Sequence, residues 1–373
     1  MTEHLLDVRD LTVDFHTAQG TVHAVRNVSW HLDRGETLAI LGESGSGKSV
    51  SASAIMNLID MPPGEIVSGT VMFEGQDLLT MPAEARREIN GRRIAMIFQD
   101  PLSHLNPVYS VGFQIAEMMT THGVAASEAR GRALELMERV GIPDAAAKID
   151  AYPHQFSGGQ RQRLMIAMAL ALKPDILIAD EPTTALDVTV QAQILALLEE
   201  LQAETGMGLL LITHDLGVVA EVADRVVVMN SGEIVETGTA RDVYQRPHHP
   251  YTRKLIAAVP GSGEMAVSLD TGIKPILEVQ NVSKHFGGFV ALEGASFTVL
   301  PGETVAIVGE SGSGKSTLAK TLLRLEEATG GAAFYQGRDL LSIPPAELFE
   351  LRRHVQMVFQ DPTQSLNPRM SVG

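Results

Sequence analysis

Residues 35–49 read GETLAILGESGSGKS, and the apolar run 38–41 within this stretch leads directly into a glycine-rich loop. A short apolar run that ends in glycine is typical of a buried parallel strand that feeds a helix. The loop has the spacing G-x-x-x-x-G-K-[ST], whose backbone N–H groups can hold phosphate oxygens at a helix N-terminus. The stretch therefore predicts an α/β fold with a phosphate-binding loop (P-loop) after a buried strand.

The same motif assigns roles to individual residues. We expect Lys48 to reach the β- and γ-phosphates and the hydroxyl of Ser49 to ligate Mg²⁺. The other nucleotide-binding residues predicted in this loop are Gly42, Ser44, Gly45 and Gly47. A glycine-rich turn that binds nothing is the alternative, and the recurrence of the motif later in the chain makes it negligible.

The chain contains an internal repeat. Residues 302–316 read GETVAIVGESGSGKS and match 35–49 closely. Two further pairs match in the same order: MIFQDP at 96–101 with MVFQDP at 357–362, and LDVRDLTVDF at 6–15 with LEVQNVSKHF at 277–286. Because the period is far too long for a solenoid repeat, we predict a tandem duplication of a whole domain.

The repeat predicts the domain organisation. We expect a complete domain at residues 1–260, a linker at 261–275 and a truncated second copy at 276–373. The second copy stops at the equivalent of Gly112, so a fragment of a longer product is the simplest explanation. The nucleotide-binding residues predicted in it are Gly309, Gly312, Gly314, Lys315, Ser316 and Thr317, with Ser316 and Gln360 as metal ligands.

We expect the second copy to fold poorly. Residues 305–308 have the pattern of the buried strand before the P-loop, but the segment that corresponds to 176–181 is missing from this copy. We expect the strand of that segment to lie beside the P-loop strand at the centre of the sheet. Without it, 305–308 would present an unpaired apolar edge, so residues 287–373 are expected to be loosely structured.

The composition excludes several classes of function. The net charge of −16 and the pI of about 5.2 disfavour nucleic-acid binding, because such proteins need a basic surface that neutralises phosphates. The chain has no cysteine, which excludes disulfides, thiolate zinc sites and cysteine-ligated iron–sulfur clusters. We find no signal peptide and no uninterrupted apolar run of about 18 residues, and therefore expect no membrane span.

Residues 176–181, ILIADE, place two carboxylates after an apolar run. Asp180 can hold Mg²⁺, and Glu181 can orient an attacking water. A solvent-exposed acidic pair is the commoner meaning of such a pattern, but the preceding P-loop reverses that judgement.

Gln99 and His214 each follow an apolar run as well, which would place them at the same sheet edge, although a lone glutamine or histidine there is usually structural. Further elements predicted from periodicity are buried strands at 176–179, 209–213 and 225–229 and an amphipathic helix at 190–204.

Residues 156–160, FSGGQ, precede a helical run that we expect to begin near Arg161. A serine and two glycines ahead of a helix can bind an anion, because free N–H groups and the positive end of the helix dipole are exposed there. We predict that Ser157 and Gly159 contact nucleotide. An ordinary helix N-cap is the alternative.

The order of these motifs is similar to that of the nucleotide-binding domain of ABC ATPases over residues 5–246, and FSGGQ is highly specific to that family. The resemblance implies a P-loop NTPase fold with a mixed or parallel core sheet, a helical subdomain that carries the signature FSGGQ, and an N-terminal antiparallel β subdomain. It also implies a head-to-tail dimer in which Ser157 of one domain closes on ATP held by the P-loop of the partner.

The same resemblance assigns catalytic residues. It implies that Glu181 is the general base and that His214 contacts the γ-phosphate. Gln99 would contact the metal, sense the γ-phosphate and relay closure to the membrane subunits, while Asp187 lies in the loop that joins the two sites. Phe15 either stacks on adenine or is an ordinary core residue.

The segment 246–260, RPHHPYTRKLIAAVP, resembles the tail of importers for oligopeptides, dipeptides, nickel and glutathione, and 100–112 resembles them as well. With two copies on one chain, the pattern resembles the fused ATPases of glutathione importers. The implied partners are two transmembrane permease subunits, an extracytoplasmic solute-binding protein and a second nucleotide-binding domain, at the cytoplasmic face of the inner membrane as a peripheral subunit. We interpret His248 and His249 as structural, because no further metal ligands accompany them.

Two other interpretations compete with transport. Duplicated ABC ATPases also act on ribosomes or DNA, but the ribosome-acting ones have long charged linkers and the DNA-repair ones need cysteine-bound zinc. This linker is short and weakly charged, and the chain has no cysteine. An inactive fragment of such a subunit is the other interpretation, and ATPase activity would separate it from transport.

Overall fold

The structure, a computed structural model, describes residues 4–184, 186–258, 273–309, 312–359, 365–367 and 369–371. The chain divides into two compact units, Met1–Glu264 and Met265–Gly373. Residues 261–272 of the predicted linker lie outside the described residues, and so does Gln360. In the described part of the chain, no helix combines the length and the apolar character needed to cross a membrane.

Ten strands of the first unit form two sheets. They are β1 (Leu6–Thr17), β2 (Gly20–Leu32), β3 (Thr37–Leu41), β4 (Gly64–Phe73), β5 (Gln76–Asp77), β6 (Ile94–Ile97), β7 (Ile176–Asp180), β8 (Gly208–Thr213), β9 (Arg225–Asn230) and β10 (Glu233–Thr239). Six of them form a mixed sheet in the order β10-β9-β3-β8-β7-β6, in which only the pair β9–β10 is antiparallel. Every residue of β3, β7 and β8 is buried, as in parallel strands covered on both faces. This confirms the buried strands predicted at 38–41, 176–179, 209–213 and 225–229.

The P-loop strand β3 lies between β8 and β9. Leu38 pairs with Leu210 of β8 and with Arg225 of β9, whereas Leu177 of β7 pairs with Leu209 of β8. The prediction that the strand ending in Asp180 lies directly beside the P-loop strand is therefore wrong, because β8 separates the two. The apolar pattern marks each strand as buried but does not encode which strands pair.

The other four strands form an antiparallel sheet in the order β2-β1-β4-β5. Val13 and Trp30 from this sheet belong to the same apolar cluster as Ile40 and Ile178 from the mixed sheet. The two sheets therefore share one core, and the antiparallel sheet packs against the mixed sheet that contains the P-loop strand.

The helices of the first unit are α1 (Lys48–Ile55), α2 (Ala83–Ile89), α3 (Pro101–His104), α4 (Val111–Thr120), α5 (Ala126–Arg139), α6 (Ala145–Lys148), α7 (Gly158–Leu170), α8 (Val188–Thr205), α9 (Leu216–Val222), α10 (Ala240–Gln245) and α11 (Pro250–Ala257), with a 3₁₀ turn at Pro153–Gln155. The helix predicted at 190–204 is confirmed as α8, and its buried residues are Ile194, Leu195, Leu197, Leu198 and Leu201. The helix after FSGGQ begins at Gly158 rather than near Arg161, because Ser157 is already its N-cap.

Helices α4, α5 and α7 pack together as a helical subdomain. In α5, Ala129, Ala133 and Met137 recur every four residues and are buried, so one stripe faces the core while the charged face is exposed. Ile115 of α4 and Ile166 of α7 belong to the same cluster. This subdomain positions the FSGGQ segment at the N-terminus of α7.

The second unit repeats the antiparallel sheet of the first. Its elements are β11 (Leu277–Phe286), β12 (Phe289–Val299), α12 (Lys315–Leu322), β13 (Gly330–Tyr335), β14 (Arg338–Asp339) and α13 (Pro345–Leu351). The strand order β12-β11-β13-β14 corresponds to β2-β1-β4-β5. A small core contains Val279, Val282, Leu318, Ala333 and Leu340. Regular structure is thus present within 287–373, where we expected loose structure.

Residues 305–308 have the apolar pattern of β3 but form no strand, in agreement with the expectation that this run lacks its partner strands. Val305, Ile307 and Val308 are 38%, 47% and 88% exposed. The physical reason is a lack of partners: the strands that flank β3, namely β8 and β9, have no counterpart in the described part of the second unit. An apolar run forms a parallel strand only where neighbouring strands supply its hydrogen bonds.

Candidate nucleotide-binding site

The P-loop joins β3 to α1 and closes around the ammonium group of Lys48. This side chain is 5% exposed, and its Nζ donates hydrogen bonds to the carbonyl oxygens of Gly42 at 2.8 Å and Glu43 at 2.9 Å. Burial lowers the pKa of Lys48, and the carboxylates of Glu181 and Asp180 oppose this effect. The neighbouring carboxylates therefore favour the charged form of the lysine.

Glycine gives the P-loop its shape. Gly45 and Gly47 have φ angles of 80° and 101°, in the region that L side chains rarely adopt. A Cβ on Gly47 would lie 2.4 Å from the carbonyl oxygen of Ala24 on β2, and one on Gly42 would lie 2.3 Å from that of Met229 on β9. The backbones of β2 and β9 therefore approach the loop too closely for any side chain at these positions.

Ser49 and Asp180 form an oxygen pair beside the P-loop. The hydroxyl of Ser49, in the first turn of α1, donates to Oδ1 of Asp180 at 2.9 Å. Burial raises the pKa of Asp180, which is 6% exposed, while the hydrogen bond from Ser49 opposes the rise. A hydroxyl and a carboxylate this close to a phosphate-binding loop fit Mg²⁺, which prefers oxygen ligands. Ser44 lies exposed in the same loop.

Glu181 receives hydrogen bonds from three side chains. Nε2 of Gln99 and the hydroxyl of Thr184 each donate to Oε2 at 2.8 Å, and Nδ1 of His214 lies 3.0 Å from Oε1. Gln99 follows β6, Glu181 follows β7 and His214 follows β8, so the carboxyl ends of three adjacent strands bring the group together. The structure thus places the three residues predicted as catalytic in direct contact.

The environment of Glu181 favours its charged form. Burial alone would raise the pKa of this side chain, but the hydrogen bonds from His214 and Thr184 and nearby positive charge lower it overall. Its backbone φ of 47° lies in the left-handed region, which is uncommon for residues other than glycine. Its N–H donates to the carbonyl oxygen of Ile212 on β8 at 2.9 Å. Strain of this kind persists only where surrounding contacts hold it.

Thr184 was not identified from the sequence. Its N–H donates to the carbonyl oxygen of Glu181 at 3.2 Å, so the turn after β7 brings its hydroxyl back over the carboxylate. A threonine three residues after an acidic residue is too common to signal a function. The only usable sequence signal was its position in the turn that follows ILIADE.

The signature segment caps α7. Ser157 and Gln160 form a capping box, with the N–H of Ser157 donating to Oε1 of Gln160 at 3.1 Å and the N–H of Gln160 donating to Oγ of Ser157 at 3.3 Å. Ser157 is exposed, and a Cβ on Gly159 would lie 2.7 Å from Cγ1 of Val190 on α8. The N-cap alternative is thus realised in the structure, and the same geometry leaves the start of α7 accessible to a second molecule.

Two aspartates cap the helices that follow β7 and β8. Oδ1 of Asp187 accepts the N–H of Val190 at 3.0 Å at the start of α8. Oδ1 of Asp215, next to His214, accepts the N–H of Gly217 at 2.8 Å at the start of α9. These caps fix the two loops that border the Glu181 group, because each loop ends where its helix begins.

Phe15 lies in β1, half-buried against the core shared by the two sheets. A Cβ on Gly64, its pairing partner on β4, would lie 3.2 Å from the phenylalanine ring. The ring therefore packs as a core residue on one side. Adenine stacking on the other side stays a prediction.

The P-loop of the second unit repeats one lysine contact of the first, the hydrogen bond to the carbonyl oxygen of the first glycine. Nζ of Lys315 donates to the carbonyl oxygen of Gly309 at 2.6 Å and to Oγ of Ser313 at 3.3 Å. A Cβ on Gly314 would lie 2.4 Å from the carbonyl oxygen of Ala291, as for Gly47 in the first unit. The other predicted residues are Gly312, with φ of 85°, and Ser316 and Thr317 in the first turn of α12.

Histidines are grouped at two places outside the P-loop region. The backbone N–H groups of His248 and His249 donate to the carboxylate of Glu236 at 2.7 and 3.0 Å, and Nδ1 of His249 accepts the N–H of Tyr251 as N-cap of α11.

Elsewhere, His4, His31 and Asp33 hold potential ligand atoms within 4.8 Å of one another. The guanidinium of Arg225 contacts Nε2 of His31 there, and its permanent positive charge disfavours a bound cation.

Comparison with known families gives a match that agrees with this geometry of P-loop, carboxylates and signature helix. The profile of the family described as ABC transporter matches residues 25–184 and 292–373. The chain belongs to the ABC transporter family. A second profile, described as oligopeptide/dipeptide transporter, C-terminal region, matches residues 235–287. The family resemblance read from the motif order is thereby confirmed.

Curated ABC relatives match almost the whole chain. The glutathione import ATP-binding protein GsiA of Escherichia coli (strain K12) is 46% identical over 411 residues, which covers 99% of this chain and 66% of the relative. The peptidoglycan transport ATP-binding protein YejF of Agrobacterium fabrum (strain C58) is 48% identical over 384 residues, covering 100% of this chain and 70% of the relative. The chain thus spans 66% of the length of the GsiA relatives.

Solved ABC structures share the fold of the chain. The dimeric ATP-binding cassette MJ0796 in a post-hydrolysis state, bound to ADP and Pi, is 28% identical with a TM-score of 0.57 and covers 63% of this chain and 99% of its own. CbiO1 from Clostridium perfringens, part of the ABC transporter complex cbiONQ, is 29% identical with a TM-score of 0.56, covering 69% of this chain and 96% of its own. The predicted fold class, a P-loop ABC cassette with an antiparallel β subdomain and a helical subdomain, is confirmed.

Proposed function

We propose that the chain is an ATP-binding and ATP-hydrolysing subunit that energises an ABC importer for peptides or a related small solute such as glutathione. The observation that carries this proposal is the carboxylate of Glu181, held by Gln99 and His214 beside the Ser49–Asp180 pair at the P-loop. A general base, a metal-binding pair and a phosphate-binding loop are the parts that ATP hydrolysis needs.

ATP binds with its phosphates at the P-loop. Lys48 supplies positive charge to the β- and γ-phosphates, and the start of α1 supplies backbone N–H donors. Ser49 and Asp180, with Gln99, hold Mg²⁺, which neutralises charge on the phosphates when it is bound. The 2.9 Å contact between Ser49 and Asp180 supports this assignment, because it already brings two oxygen ligands together.

Glu181 accepts the proton of the attacking water. Its lowered pKa keeps it ionised at neutral pH, and hydrogen bonds on both carboxylate oxygens hold its orientation. The water oxygen bonds to the γ-phosphorus as the bond to the β–γ bridging oxygen breaks, and the proton passes to Glu181. His214 contacts the γ-phosphate from the neighbouring strand end.

Hydrolysis requires a second nucleotide-binding domain. Ser157 lies exposed at the N-terminus of α7, where its Oγ accepts the N–H of Gln160 and the N–H groups of Gly158 and Gly159 are available to an anion. In the head-to-tail arrangement that we propose, Ser157 and Gly159 of one domain contact ATP at the P-loop of another. The solved structure of the cassette MJ0796 with ADP and Pi is dimeric, which supports the pairing of two such domains.

The transport assignment rests on the tail and on the relatives. Residues 235–287 match the oligopeptide/dipeptide transporter C-terminal region, and the relatives GsiA and YejF are named for glutathione import and peptidoglycan transport. We propose two transmembrane permeases, which dock near residues 99–112, and a solute-binding protein that acts through them. Val108, Tyr109 and Phe113 are exposed in and beside that segment, 70%, 47% and 46% respectively. The subunit then lies peripherally at the cytoplasmic face of the inner membrane.

ATPase activity of the Glu181→Gln variant tests the proposal. We expect at least a 100-fold loss of kcat, because general base catalysis contributes roughly that much, while MgATP binding is retained. Glu199→Gln, a change of the same kind at an exposed position of α8, is the matched control and should keep normal activity. Near-normal turnover by Glu181→Gln would remove the assignment of the base.

A further inference from the structure

The tail of the first unit, residues 240–258, packs against the strand that leads into the P-loop. One face of β3, with Ala39 and Leu41, shares a cluster with Ala240 and Val243 of α10. Tyr244 and Tyr251, together with Leu255 and Ile256, are partly buried against the same cluster. The segment that resembles the importer tail is therefore part of the support of the nucleotide site.

Tyr251 contacts the P-loop itself. The backbone N–H of Glu43 donates a hydrogen bond to the hydroxyl oxygen of Tyr251 at 3.1 Å. The carbonyl oxygen of the same peptide group, which belongs to Gly42, accepts the hydrogen bond from Nζ of Lys48 at 2.8 Å. One peptide group is thus held at its N–H by the tail and at its C=O by the P-loop lysine.

This double contact fixes the orientation of the peptide. A peptide group is planar, so a hydrogen bond on its N–H also sets the direction of its C=O. The two bonds lie on opposite sides of the group and polarise it in the same sense, which strengthens both. Without the hydroxyl of Tyr251, the Gly42–Glu43 peptide would be freer to rotate, and the carbonyl that receives Lys48 would move with it.

Tyr251 is in turn anchored by the start of α11. The carboxylate of Glu236 on β10 accepts the backbone N–H groups of His248 and His249, and the ring of His249 accepts the N–H of Tyr251. Thr252, the next residue, is fully buried. Burial also raises the pKa of the Tyr251 hydroxyl, so the group stays a neutral phenol. The position of the hydroxyl is therefore set by the tail and not by the P-loop.

We propose that Tyr251 is a positioning residue for ATP binding, whose hydroxyl holds the Gly42–Glu43 peptide so that the P-loop presents Lys48 to the phosphates. The inference rests on the proposed binding of ATP at this P-loop. Tyr251 itself acts through the peptide and Lys48. Through Tyr251, the importer-type tail would help to maintain the affinity of the P-loop for ATP.

Steady-state ATPase kinetics of Tyr251→Phe test the proposal. The change removes one hydroxyl and keeps the aromatic packing. We expect KM for ATP to rise about fivefold with kcat within about twofold, because one neutral hydrogen bond is worth roughly that factor. Tyr244→Phe is the matched control: its hydroxyl donates to the carbonyl oxygen of Leu216, away from the P-loop, and its removal should leave KM unchanged.

Hydrogen exchange of the P-loop peptide that contains Glu43 gives a second readout that needs no nucleotide. Exchange should be faster in Tyr251→Phe and unchanged in Tyr244→Phe. Unchanged KM together with unchanged exchange in Tyr251→Phe would overturn the proposal, as would equal effects of the two variants. If the unmodified chain neither binds nor hydrolyses MgATP, the proposed function fails, while the exchange comparison still decides whether Tyr251 orders the Gly42–Glu43 peptide.

Discussion

At the level of residues, the hydrogen bonds of Glu181 determine the ionisation of its carboxylate. Its carboxylate is hydrogen-bonded on both oxygens, and its pKa lies below the ordinary value of 4.5, against the effect of burial. The folded protein therefore binds this proton less tightly than the unfolded chain does, so the ionised group stabilises the fold. That contribution is complete above about pH 4.5 and is lost as the pH falls through the lowered pKa.

Comparison of the unmodified chain with Glu181→Gln tests this linkage. At pH 7 we expect the unmodified chain to have a free energy of unfolding higher by about 1 kcal/mol, the usual net value of a hydrogen bond. The difference should shrink towards pH 4, because protonation removes the advantage of the carboxylate. Urea unfolding followed by the fluorescence of Trp30, the single tryptophan, measures it within the first unit. A difference that does not change with pH would contradict the prediction, and the exposed control Glu199→Gln should show no difference at either pH.

At the level of elements, the signature helix α7 depends on its contact with α8. A Cβ on Gly159 would lie 2.7 Å from Cγ1 of Val190, whereas a Cβ on Gly158 meets nothing within 4 Å. The contact joins the helical subdomain to the helix that follows Asp187. A small residue at 159 therefore serves the packing of two helices, in addition to any contact with nucleotide.

Alanine at the two glycines should have opposite effects. Gly158→Ala should leave the free energy of unfolding unchanged or raise it by up to about 1 kcal/mol through helix propensity. Gly159→Ala should lower it by about 1–3 kcal/mol, the usual cost of overpacking. Removal of the clashing methyl in Gly159→Ala/Val190→Ala should recover part of the loss. Equal effects of the two single variants in urea unfolding would show that the α7–α8 contact is not tight.

The sequence predicts strands and helices here better than it predicts their arrangement. Apolar runs locate β3, β7, β8 and β9, and periodicity locates α8, because burial leaves a local signal. The insertion of β8 between β3 and β7 was missed, since pairing depends on the whole chain and not on any one run. The same reason explains why 305–308 is not a strand.

In the candidate site, too, residues at strand ends could be predicted from the sequence, whereas contacts between distant segments could not. The sequence could place Gln99, Glu181 and His214 at one sheet edge, because each follows an apolar run. The contacts of Thr184 and Tyr251 could not be predicted, since they arise from a turn and from a helix far along the chain. Hydrogen bonds between distant segments leave no periodic trace in the sequence.

For the molecule as a whole, the first unit carries one P-loop and one exposed signature, as a half-site would. We propose that two such units close head-to-tail on ATP. A variant that binds MgATP without hydrolysing it should accumulate in the closed, dimeric form, because turnover no longer reopens it. Glu181→Gln is that variant.

The most direct test is the solution mass of the Glu181→Gln chain, measured by light scattering with and without MgATP. We predict that MgATP doubles the mass, and that the additional change Lys48→Ala abolishes the shift by weakening phosphate binding. An unchanged mass, under conditions where calorimetry shows that MgATP is bound, would contradict the head-to-tail account of this chain.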